Sequence, residues 1–387
     1  MKKALILAAV AAVALSACSK NEIIPEIEES AHAIAFGTYG PRSITKADAA
    51  NYVSGTELIA NADFDVWGWY TANGTSFNGT NGTQFFGNSA KWYTVTYKTG
   101  GGAGSTGAAN AYPDGARYWP TGKTPDYLHF YAYYPSNAGT ITPPDGLGAF
   151  SFTAEATAAA QVDFMVADLV KDQTYNTADG NPGTNSTHDG TVDLTFRHML
   201  TKVQVKFKTT QAICDDPLTT IKVDSAYFYH INNTGTLTSS YVAANDSTST
   251  VWSSVSGDAK YDVAVPADTL TKVAANSGVI ANDIFLMVPQ VMVAPTRNSA
   301  HDVTADATAQ YIHVYWTVTT DGVETHNNRK VYLDECVSTD GGSTQADIDW
   351  EKNNFVTYVI TIAPNQILFT GAAETWDSEK SGYYNIN

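Results

Sequence analysis

Cysteine is scarce: the 387-residue chain has three, Cys18, Cys214 and Cys336. That is too few for a fold built on disulfides. Positive charge is scarce too. Lys plus Arg total 22 against 39 Asp plus Glu, a formal net charge of −17. This excludes the basic footprint that nucleic acid or an anionic lipid surface requires. Beyond the N-terminus no apolar run is long enough to cross a bilayer as a helix. Catalytic signatures are missing as well. The eight histidines show no H-E-x-x-H spacing, no Cys–His set suggests zinc, and there is no G-x-S-x-G elbow. Gly102 to Gly107 formally matches G-x-G-x-x-G, but Ala-Asn-Ala-Tyr-Pro follows it rather than a helix N-terminus, so it reads as a loop. Gly122-Lys123-Thr124 resembles the end of a P-loop, with Arg117 where the first glycine is required. Asp340, Asp347 and Asp349 lack EF-hand spacing and read as a solvated loop. His198 follows a strand and reads as a buried, hydrogen-bonded structural residue. The sequence therefore predicts neither an enzyme nor a bound cofactor.

What is present begins with an export signal. Lys2 and Lys3 precede an apolar segment from Ala4 to Leu15, and Leu15-Ser16-Ala17-Cys18 matches a lipobox. On that reading residues 1–18 are a lipoprotein signal and the Cys18 thiol carries the lipid. The alternative is an ordinary secretory signal with a chance cysteine. Residues 19–30 are acidic and polar, a tether without stable structure.

Ala33 to Ala47, AIAFGTYGPRSITKA, is the stretch around which the rest is organised. Ile34, Phe36 and Thr38 share one face of a short strand, with Ile34 and Phe36 as its core residues. Gly40 and Pro41 end it, and Arg42 stands in a polar segment where a trypsin-like protease can bind. Cutting there would release the strand and open a groove. The alternative is a surface arginine that is never cut.

Strand signals recur along the whole chain and long helical periodicity is nearly absent. Phe64 to Tyr70, Tyr127 to Tyr134, Val203 to Lys208, Tyr311 to Val318 and Phe355 to Ile362 are the strongest runs. Lys171 to Asp189 is polar and reads as the loop that ends a first domain. The expectation is all-β: one β-sandwich over 31–189 and a second over 190–387. The tail carries Trp376, Tyr383, Tyr384 and Ile386 in a polar background. A free tail rarely keeps so many large apolar side chains unless something buries them. Cys214 and Cys336 either form a disulfide or remain separate buried thiols.

In order and spacing these features resemble the fimbrillins of Bacteroidetes, the subunits of type V pili. The resemblance rests on the lipobox at Cys18, the strand Ile34 to Phe36 with Arg42, and Thr45-Lys46-Ala47. It also rests on Phe130 to Pro135, Asp163-Phe164-Met165, Phe196 to Leu200 and Tyr358 to Ile362. It implies two transthyretin-like β-sandwich domains in tandem and a lipoprotein carried to the outer-membrane surface. An Arg-specific protease would cut after Arg42, and the opened groove would accept a strand from a neighbouring copy or related pilin. The donor would be the C-terminal segment, about Ala373 to Asn387. A stalk subunit needs both groove and donor, whereas a tip subunit needs only the groove; an anchor role is a further option. Either way the assembly would support adhesion to a host or bacterial receptor. A different reading is a surface lipoprotein whose Trp67, Trp69, Trp92 or Trp119 stacks on sugars without polymerising.

Overall fold

The computed structural model describes residues 33–39, 63–86, 93–96, 117–120, 126–136, 141–142, 147–174, 191–245, 247–270, 279–335, 337–338, 346–347, 349–364 and 366–375. In chain order the strands of the first half are β1 (Ala35–Tyr39), β2 (Asp63–Thr71), β3 (Thr83–Phe86), β4 (Tyr93–Thr96), β5 (Tyr127–Tyr134), β6 (Ile141–Thr142), β7 (Gly148–Thr153), β8 (Met165–Ala167), β9 (Val170–Gln173) and β10 (Thr191–His198). Then follow β11 (Thr201–Thr209), β12 (Thr219–Ile231), β13 (Thr234–Val242), β14 (Ser247–Ser256), β15 (Ala259–Val263), β16 (Val279–Met287), β17 (Thr296–Arg297) and β18 (Val303–Ala305). The last are β19 (Tyr311–Thr320), β20 (Val323–Tyr332), β21 (Val337–Ser338), β22 (Ala346–Asp347), β23 (Asn354–Ala363) and β24 (Gln366–Thr375). The one α-helix among the described residues is a single turn, Gln211–Cys214. The protein is all-β.

The first sheet runs β1-β10-β8-β5-β2-β3, with β4 also paired to β2 and β9 to β5. Both of its faces are buried, which is why β2 and β5 read as nearly unbroken apolar runs. One face carries Phe64, Val66, Leu128 and Phe130; the alternate residues Trp67, Trp69, Tyr131 and Tyr133 point into a different core. That second core is closed by Phe150 of β7 and Leu237 of β13. Those strands belong to a separate sheet, β14-β13-β7-β6. The Tyr131 hydroxyl donates to Ser239 Oγ at 2.6 Å, fastening the two sheets where they meet.

The C-terminal core lies between the sheet β16-β11-β23-β24-β21-β22 and the sheet β15-β12-β19-β20. Val203, Val205 and Phe207 alternate inward from β11 and meet Ile312, Val314 and Trp316 from β19. Sheet packs on sheet, with Trp350 fully buried between and its indole donating to the Tyr358 hydroxyl at 2.9 Å.

Strand pairing crosses the line expected between residues 189 and 190. β10 pairs with β1 and β8 of the first sheet, and β13 pairs with β7. A polar, Gly-rich segment marks where the chain leaves a sheet, and the next strand is free to return to that same sheet. The polar segment itself also begins later than the composition indicates. Val170–Gln173 is a strand on β5, and the Asp172 N–H donates to His129 Nδ1 at 2.8 Å.

Candidate functional site

β1 closes one end of the first sheet. It runs parallel to β10, with Ala35 opposite Thr191, Phe36 opposite Val192 and Tyr39 opposite Thr195. On its other side Ala33 forms an antiparallel bridge to Tyr118, and the Ile34 N–H donates to the Arg117 carbonyl at 2.8 Å. The strand is thus clasped from both sides.

Ile34 and Phe36 are fully buried. The Phe36 ring lies edge-on to Phe130, centroids 5.5 Å apart, and to Phe64 at 6.1 Å. Phe64 in turn meets Phe196 at 5.8 Å, and Trp119 meets Phe130 at 6.2 Å. Five aromatic rings therefore share this end of the core, and the one at its centre belongs to the short N-terminal strand. Such edge-to-face contacts add roughly 0.5–1.5 kcal/mol each beyond area burial. Burying Ile34 and Phe36 contributes roughly 3–6 kcal/mol together. Without β1, β10 would present unpaired backbone groups beside a cavity shaped for two large apolar side chains at alternate positions. The site holds and aligns a strand.

Several residues singled out in the sequence sit elsewhere. Arg42 and Cys18 lie outside the described residues, as do Cys336, Trp92, Trp376, Tyr383, Tyr384 and Ile386. So do both glycine-rich stretches and Asp340. Ala373, Glu374 and Thr375, which opened the expected donor segment, are taken up by β24, opposite Val356, Phe355 and Asn354 of β23. Cys214 carries a free, exposed thiol at the end of the one-turn helix. The tryptophans Trp67, Trp69 and Trp119 are buried, so they build cores and cannot stack on an external sugar. Their apolar neighbours in alternating strands make core the natural outcome for residues of that size.

His198 is buried against Asp163, Nδ1 to Oδ2 2.8 Å. It sits where β10 gives way to Met199 and Leu200 of the second core. Asp349 Oδ1 accepts the Met292 N–H at 3.1 Å. Among the described residues no cluster of His, Cys, Asp and Glu is arranged to hold a metal ion, and no helix is long and apolar enough to cross a membrane.

Sequence reading overlooked a second feature, a belt of tyrosine and histidine rings on the outer face of β12 and β19. Its signal was visible as Tyr227-Phe228-Tyr229 and Tyr311-Ile312-His313-Val314-Tyr315, where rings alternate with core residues.

Comparison with known proteins places the chain. Among solved structures, a fimbrial protein of Bacteroides vulgatus aligns with TM-score 0.51 and 16% identity, over 81% of this chain and 92% of that one. A candidate cell adhesion protein of Bacteroides uniformis aligns over 90% of this chain and 99% of its own, with 13% identity and TM-score 0.45. One from Bacteroides ovatus covers the same shares with 15% identity and TM-score 0.41. No curated protein sequence matches the chain significantly. The sequence profile described as Fimbrillin-like matches residues 45–376, nearly the whole all-β body described above. On that match the chain belongs to the fimbrillin-like family.

Proposed function

We propose that this protein is a pilus subunit that joins its neighbours by exchanging a strand. The observation that carries the proposal is β1. A five-residue strand at the N-terminal end of the described chain fills the centre of a core otherwise built from residues 64–196. Arg42 follows three residues after the last residue of β1. An Arg-specific protease cutting there separates β1 from everything that follows it. The strand then leaves, and the slot beside β10 takes an extended segment from another copy.

The incoming segment must offer two large apolar side chains at alternate positions, as Ile34 and Phe36 do. Tyr384 and Ile386 have that spacing, and the segment 376–387 also holds Trp376 and Tyr383. Donation from the C-terminal end of one copy to the N-terminal slot of the next is heterologous and does not close, so it builds a filament. A lipid on Cys18 would hold the uncut precursor at the outer membrane until cleavage freed it. The filament would then display the protein at the cell surface for adhesion.

The test compares the wild-type chain with Arg42→Ala. Treated with an Arg-specific protease, the wild type should be cut after Arg42, by mass spectrometry, and form rods by negative-stain microscopy. The variant should stay uncut and monomeric. Filaments from the uncut variant would overturn the proposal.

A further inference from the structure

On the sheet β15-β12-β19-β20 the inward residues of β19, Ile312, Val314 and Trp316, belong to the core. The alternate residues face outward, and an unusual number are rings. Tyr229 of β12 stacks on Tyr311 of β19, centroids 5.2 Å apart and planes 25° from parallel. His313 lies 4.3 Å from Tyr315, and Tyr227 is 6.2 Å from both Tyr229 and Tyr315. Four of these rings, Tyr227, Tyr229, His313 and Tyr315, remain partly exposed. Tyr311 is buried beneath them with Tyr332, whose hydroxyl donates to Asp306 at 2.9 Å.

The belt is held rigid from within. Asn328 Oδ1 can only accept, so His313 Nε2 carries the proton and donates to it at 3.1 Å. His313 Nδ1 then accepts from the Tyr315 hydroxyl at 3.1 Å. Lys260 Nζ sits 3.7 Å from the centre of the Tyr227 ring, and Lys330 Nζ is 4.5 Å from that of Tyr311. Each cation has an acid beside it: Asp262 lies 3.7 Å from Lys260, and Asp306 bonds Lys330.

The geometry points to this face as a binding platform for a neutral oligosaccharide. Charge chooses the occupant. The two cations that touch the belt, Lys260 and Lys330, are each balanced by an acid, so the belt itself offers little to an anionic polymer. A second copy carries a net charge of −17 and finds no compensating field. What the face does present is a braced aromatic floor ringed by hydroxyl, carboxylate, amide and ammonium groups. A sugar ring has the complementary chemistry, an apolar C–H face with a rim of hydroxyls. Aromatic residues with a polar tip suit such an amphipathic partner, and a few fixed polar groups set its orientation. None of these residues belongs to the core that contains β1, so the uncut monomer should bind as well as the assembled protein.

The test uses the intact Arg42→Ala chain and three probes, cellohexaose, maltohexaose and chitohexaose, with calorimetry as the readout. At least one should bind at millimolar concentration or below. Tyr227→Ala and Tyr315→Ala should each weaken it by roughly threefold to tenfold. Tyr227→Phe, which keeps the ring, should hold the affinity within about threefold. Thermal unfolding checks that each variant is folded, and Tyr227→Leu replaces any alanine variant that is not. Failure of all three sugars to bind would overturn the inference. So would binding that survives the double Tyr227→Ala, Tyr315→Ala variant. Loss of filaments when the same two substitutions are placed in the cleavable wild-type chain, with no sugar bound by the parent, would make the face a contact between copies and also overturn it.

Discussion

Phe36 shows how much a single residue of the slot carries. Its ring is the contact between Phe64 and Phe130, and no solvent reaches it. Phe36→Ala leaves a cavity that the surrounding β2, β5 and β10 side chains cannot fill without leaving their register. The expected cost is about 3–5 kcal/mol, read as a lower denaturant midpoint with an unchanged slope. His129 behaves differently, because its cost depends on pH. Its Nδ1 accepts the Asp172 N–H at 2.8 Å, so the neutral ring carries its proton on Nε2 and donates to Thr71 Oγ1 at 2.9 Å. The Thr71 hydroxyl passes its own hydrogen on to the Thr75 carbonyl. Burial, only partly offset by the Asp172 carboxylate, pushes the His129 pKa down from 6.5 to about 4. The folded state therefore refuses a proton that the unfolded chain takes up. Stability from this group is whole above pH 6.5 and falls as the pH drops toward 4, by on the order of 3 kcal/mol. His129→Gln cannot titrate. Its unfolding midpoint should change less than that of the wild type between pH 7 and pH 4.5, and equal slopes would refute the assignment.

Elements were legible where both faces of a strand gave a signal. β2, β5, β11, β19 and β23 announce themselves through alternating or near-continuous apolar residues, and all formed near the expected positions. β14 and β20 did not. β14 reads STSTVWSSVS and lies at the edge of its sheet; β20 reads VETHNNRKVY and is also an edge. Edge strands exposed to water need no apolar face, and charged or polar residues there guard against unwanted pairing. Their strand state is imposed by the partner: β20 pairs with β19 residue for residue from Tyr332 to Val323. One local signal for β20 does exist, Asp321-Gly322. It forms the two-residue turn joining these strands, with φ of 50° and 78°. That is the pairing of left-handed residues that a twisted hairpin favours. No atom stands within 4 Å of where a Gly322 Cβ would lie, so a substitution there meets strain rather than a clash. Gly322→Ala should therefore destabilise the protein by about 1 kcal/mol, from backbone conformation alone. A larger loss in equilibrium unfolding would mean the turn is packed against something.

At the scale of the whole molecule, the sequence conveyed that the chain is all-β and less about which strands share a sheet. Composition is local, whereas the pairing of β1 with β10 joins residues 35 and 191. The importance of Ile34 and Phe36 could be read from their spacing; their place at the centre of an aromatic cluster required the fold. The C-terminal end carries the same lesson. Residues 366–375 are committed to β23 as β24, so the donor segment in the proposal narrows to 376–387. Fully extended, it reaches roughly 40 Å at most, ample for a slot vacated by five residues. A chain truncated after Thr375 should thus keep its own fold and still be cut after Arg42. It would accept a tail but have none to give. Added as a minor component to cleaved wild type, it should end each filament it joins and shorten the rods in proportion to its share. Rods of unchanged length, with the truncated chain incorporated along them, would show that the link between copies is made by some other part of the molecule.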